Sequence, residues 1–87
     1  MYLLVFGDNF LSSIKKLDKK LKVRIDGQLK LAQQNPFHPQ LHSKSLHGKL
    51  GDFYSFRIGK NHRIVFKFLP NKTIQLLTIK HRREAYK

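Results

Sequence analysis

The chain has no cysteine and no tryptophan, one methionine, three prolines and only five acidic residues in 87. Without cysteine there is no disulfide scaffold and no Cys-ligated zinc site, which fits a reducing cytoplasm. Long apolar runs are missing too. The longest near the N-terminus covers residues 2–6, too short for a signal-peptide core or a bilayer span, so no membrane association is expected. The shortage of acid leaves 18 Lys and Arg against five Asp and Glu, a formal net charge of +13. Residues 1–35 carry +4 of this and residues 36–87 carry +9. A field of one sign over a small domain draws in polyanions, nucleic acid first and an acidic protein second. Five histidines raise the question of metal. His38 and His42 flank Pro39, which works against a helix that would put both on one face, and there is no H-E-x-x-H. No metal site and no cofactor are expected.

A chain of this length predicts one domain, residues 1–87, with a limited core. Residues 2–6 suit a short strand. Gly7-Asp8-Asn9 breaks it, and Asp8 or Asn9 can cap a helix over about residues 9–17, where Phe10, Ile14, Leu17 and Leu21 recur at helical spacing. A second helix, opened by Asp18, runs to about Gln34 with Leu21, Ile25, Leu29 and Ala32 along one face. Asn35-Pro36 stops it. Residues 35–52 read as loop, anchored by Leu41, Leu46 and Leu50.

Residues 53–68 are the most ordered pattern in the chain. Tyr54, Phe56 and Ile58 alternate with Ser55 and Arg57, and Ile64, Phe66 and Phe68 alternate with Arg63, Val65 and Lys67. With a period of two, this predicts a hairpin with one apolar and one basic face, turned at Gly59-Lys60-Asn61-His62. A turn at Pro70-Asn71-Lys72 and a last strand over residues 73–80 follow. The predicted fold class is α+β: a β-α-α-β-β-β two-layer domain. An antiparallel three-strand meander and the N-terminal strand carry a helical hairpin on one sheet face. The other face is expected to be open and to carry Ser55, Arg57, Arg63 and Lys67.

Several segments of the second half are similar to one known group of proteins. They are Leu46-His47-Gly48-Lys49-Leu50, Tyr54-Ser55-Phe56-Arg57-Ile58-Gly59, His62-Arg63-Ile64-Val65-Phe66, and Ile79-Lys80-His81-Arg82 with Tyr86. In order and spacing they resemble the RelE/ParE superfamily of bacterial type II toxins. The resemblance implies a ribosome-dependent mRNA endonuclease, an mRNA interferase that inhibits translation, or, in the ParE branch, a DNA gyrase poison without nuclease activity. Either would be held inactive by a cognate antitoxin, expected here as an acidic or amphipathic segment. The departures are specific. RelE carries two lysines on the first hairpin strand that serve its chemistry; the matching positions are Ser55 and Arg57. The arginine of the next strand is present as Arg63 and the tail tyrosine as Tyr86, and His81 resembles the histidine that other RNase branches place near the C-terminus.

Cleavage of this kind needs a base for the 2′-hydroxyl, cations on the phosphorane and an acid for the leaving 5′-oxygen, with no metal. Arg57 and Arg63 are the expected phosphate binders, since a guanidinium stays charged and binds two oxygens at once. His81 is the expected base or acid, and Tyr86 is expected to stack on a base or orient a phosphate. His47, Lys49, Ser55, His62, Lys67, Lys80, Arg82 and Arg83 are expected contacts with mRNA or ribosomal RNA. Two guanidiniums and the imidazole of His81 should therefore converge on a cleft one RNA backbone wide.

Overall fold

The computed structural model describes residues 1–46 and 52–81. Strand β1 (Leu3–Phe6) leads into helices α1 (Asp8–Lys15) and α2 (Lys19–Gln34). A 3-10 turn at Pro39–Leu41 and a two-residue strand β2 (Lys44–Ser45) precede β3 (Phe53–Ile58), β4 (His62–Leu69) and β5 (Thr73–His81). The expected α+β order holds, with β2 added inside what reads as loop. The five strands form one mixed sheet in the order β1-β5-β4-β3-β2. β1 runs parallel to β5, and the other pairs are antiparallel.

The helices form for the reasons their sequences give, with one difference. Asp18 caps α2 by accepting from the Leu21 amide at 2.8 Å. α1 starts one residue earlier than expected, with Gly7 rather than Asp8 or Asn9 at the N-cap and no side-chain cap. A close approach explains it. The Gly7 amide donates to the Leu76 carbonyl at 2.9 Å, and a Cβ at Gly7 would lie 2.8 Å from that same oxygen. Only glycine lets the chain leave β1 and turn into α1 this close to β5.

The core lies between the helices and one sheet face. Phe10, Ile25, Ala32, Phe56, Ile58, Ile64, Phe66, Ile74 and Leu76 are all at most 1 % exposed. Leu41 and Leu46 are buried as expected, and they pin the chain on either side of β2. Leu50 lies outside the described residues. The hairpin turn places Gly59 at φ +59°, and Asn71 and Lys72 of the next turn also have positive φ. Among the described residues, no helix is long and apolar enough to cross a membrane.

One irregularity matters for the site. In the β4–β5 ladder Val65 faces Thr78 and the next residue, Phe66, faces Leu76. Leu77 is the extra residue of a β-bulge, and it reverses the alternation of β5 beyond it. Ile74 and Leu76 point to the core before the bulge. After it Ile79 packs on the core and Lys80 takes the opposite face, while Thr78 Oγ1 lies 3.5 Å from Ser13 Oγ of α1.

Two glycine substitutions should move stability in opposite directions. Gly7→Ala forces a Cβ onto a backbone oxygen and is expected to cost about 1–3 kcal/mol. Gly27 is exposed inside α2, and a Cβ added there would meet nothing within 4 Å. Gly27→Ala is therefore expected to stabilise by about 1 kcal/mol. Urea denaturation of the two variants checks both signs.

Candidate functional site

The sheet face away from the helices is built by β3, β4 and β5. Arg57 of β3 pairs with Arg63 of β4, and Arg63 pairs with Lys80 of β5. Three cations therefore occupy one transverse row. With strands about 4.8 Å apart, the outer two backbones of the row are about 10 Å from each other. Like charges directly opposite repel, and the two arginines splay along the strands. Arg57 Nε donates to the Gly59 carbonyl at 3.1 Å, toward the hairpin turn. Arg63 bends the other way. Its Nε donates to Ser55 Oγ at 2.7 Å, and its Nη2 donates to the Ser55 carbonyl at 3.0 Å and the His42 carbonyl at 2.6 Å.

This face is less open than the sequence suggests. Arg57 and Lys67 are half-buried and Lys80 is exposed, but Ser55 is 0 % and Arg63 only 4 % exposed. The backbone around His42, which turns through the left-handed region at φ 50°, reaches over Arg63. Ser55 thus makes its contact with Arg63 and presents nothing to solvent. Lys67 lies four residues from Arg63 along β4, about 13 Å away. It faces Phe53 and helps line an open hollow of about 530 Å³ with Asp52, Phe53, Tyr54, Phe68 and Leu69.

The expected convergence of guanidiniums and imidazole is met only in part. Arg57 and Arg63 do adjoin. His81 pairs with His62, one register step beyond the Arg63–Lys80 pair, with the rings 5.7 Å apart. A step of one along a strand changes face, so His62 and His81 share the helix-side face and Lys80 stands on the cationic side. The bulge at Leu77 produces this exchange. His62 opens β4 rather than sitting in the turn. His47, Lys49, Arg82, Arg83 and Tyr86 lie outside the described residues. Lys80, expected only as an RNA contact, completes the row, and the signal for its placement was the apolar triplet Leu76, Leu77, Ile79, which no unbroken alternation can bury on one side. Among the described residues, no group of three or more His, Cys, Asp or Glu is placed to hold a metal ion.

A five-stranded mixed sheet with two helices on one face and a cationic row on the other defines a small, basic α+β protein. The family model of the ParE toxin of type II toxin–antitoxin systems matches residues 4–86, and the chain belongs to that family, within the RelE/ParE superfamily. Solved structures share the fold. A YoeB/ParE toxin from Agrobacterium tumefaciens is 18 % identical, with 92 % of this chain and 98 % of that one covered and a TM-score of 0.79. The RelE–RelB complex of Pyrococcus horikoshii is 21 % identical over 93 % and 94 %, at a TM-score of 0.78. The YoeB dimer of Staphylococcus aureus is 24 % identical over 91 % and 94 %, at 0.75. No curated protein sequence matches the chain.

If the row takes phosphates, its contacts are countable. Each phosphate contact on a single strand contributes about 0.7 to the log–log salt slope. Replacing both Arg57 and Lys80 by Ala should weaken binding of a single-stranded RNA oligomer and flatten that slope by about 1.4. Fluorescence anisotropy across a salt series reads it, and an unchanged slope removes the row from the binding surface.

Proposed function

We propose that this toxin cuts mRNA at the ribosome, in the cytoplasm, and that the Arg57–Arg63–Lys80 row holds the phosphate at the cut. The single observation behind this reading is the row itself: three cations in one register across β3, β4 and β5. The 2′-oxygen attacks the adjacent phosphorus, the 5′-oxygen leaves, and a 2′,3′-cyclic phosphate and a 5′-hydroxyl result. A base takes the proton of the 2′-hydroxyl and an acid supplies one to the leaving oxygen. Arg57 and Lys80 grip the phosphate oxygens while Arg63 adds positive charge between them, and fixed charges of this sort stabilise a phosphorane without moving. His81, on the other face at the end of β5, stands outside the row, so the electrostatic share of the reaction falls on the row and the proton transfers on groups beyond it. Tyr86 is the remaining assigned residue, as the group that stacks on a base or orients the phosphate.

The chain's cognate antitoxin is proposed to be an acidic segment that lies on the same face and neutralises it. Relatives solved as RelE–RelB and YoeB–YefM complexes support a protein partner of this class.

A second reading, a DNA gyrase poison, has its own support. The matching family model is that of ParE, and neither imidazole at the end of the β4–β5 ladder stands on the cationic face. Primer extension on mRNA from cells expressing the toxin separates the two. The nuclease reading expects new extension stops at 5′ ends that carry a hydroxyl, reduced at least tenfold by Arg57→Ala. Intact mRNA together with gyrase-linked DNA breaks contradicts it and favours the second.

A further inference from the structure

Arg63 carries the best-defined polar contacts on the cationic face, and they are unusual for a residue in a phosphate-binding row. A mobile arginine that closes on a phosphate needs solvent around its fork; this one is 4 % exposed. Ser55 Oγ, Ser55 O and His42 O together take its Nε and Nη2 hydrogens, at 2.7, 3.0 and 2.6 Å. The three acceptors come from two places: β3, the neighbouring strand, and the backbone of the segment leading to β2. All three are uncharged oxygens, and their directions orient the guanidinium. Bonds from a charged donor are stronger than neutral ones, and three of them fix the plane of the group.

The same geometry accounts for the residue type at 55. The side chain there is fully buried and its oxygen touches Arg63. A lysine would bring a second cation against a buried guanidinium, which the low-dielectric surroundings penalise heavily. Serine is the smallest side chain that supplies an acceptor.

We propose that Ser55 and the His42 carbonyl are positioning groups for Arg63. They hold its guanidinium in one orientation between Arg57 and Lys80, so that Arg63 acts on this face from a fixed position instead of closing on a partner itself. The proposal rests on the cationic face being the acting surface, and it holds for either target.

Two measurements test it. In nitrogen-15-labelled protein the Arg63 Nε–H should exchange slowly with water in the wild type and rapidly in Ser55→Ala. In cells, at equal levels of soluble, folded protein, Ser55→Ala should need at least tenfold more toxin to arrest growth. Arg63→Lys should be impaired as much, because an ammonium keeps the charge but cannot span three acceptors. An Arg63 Nε–H that exchanges freely in the wild type overturns the proposal, whatever the variants do. So does full toxicity in either variant, or slow exchange that survives in Ser55→Ala. Growth arrest with intact mRNA would remove the nuclease reading and leave this one standing.

Discussion

Strand β4 is paired along both edges, and the two-residue alternation of its side chains decides what each face of the sheet can do. On the helix side it places Ile64 and Phe66, both fully buried against Phe56, Phe10 and Ile25. On the other it places Arg63, Val65 and Lys67. The magnitudes show why the fold accepts this split. Truncating a buried Phe to Ala costs about 3–5 kcal/mol, whereas a like-charged cross-strand pair costs less than about 1 kcal/mol. The apolar face therefore sets the register, and the cations are carried along in the places that register assigns.

The hairpin of β3 and β4 was readable from the sequence because its pattern is local. Tyr54, Phe56, Ile58, Ile64, Phe66 and Phe68 alternate without interruption, and Gly59 supplies the positive φ that the turn needs. The caps of α2 and the stop at Asn35-Pro36 are local in the same sense. The parallel pairing of β1 with β5 is not, since it depends on where two helices return the chain. The N-terminal strand was expected beside the meander with no partner or direction assigned, and Gly7 makes its junction with α1 sterically possible.

The neighbouring arginines of the hairpin were readable, and the side chains at the end of β5 were misplaced. Arg57 and Arg63 adjoin because hairpin register follows from the turn. His81 and Lys80 exchange faces because one bulged residue, Leu77, shifts the phase of β5, and period-two reasoning has no term for it. The burial of Ser55 and Arg63 escaped for another reason. The cover is a backbone carbonyl from residue 42, in a segment with no strand pattern and a left-handed turn. A sequence records side chains, and here two of the acceptors around Arg63 are main-chain carbonyls.

In this chain one sheet does two things: its inner face folds the protein and its outer face carries three cations in register. Arg57 and Lys80 keep solvent exposure while Arg63 is held between them. The most direct test of this account is a chemical-shift map of the nitrogen-15-labelled, detoxified protein titrated with a single-stranded RNA oligomer. The account predicts that the largest shifts gather on Arg57 and Lys80, on the two outer strands of the row, with Arg63 of β4 between them. Shifts gathered on α2, or around His62 and His81 on the other side of the sheet, would contradict it.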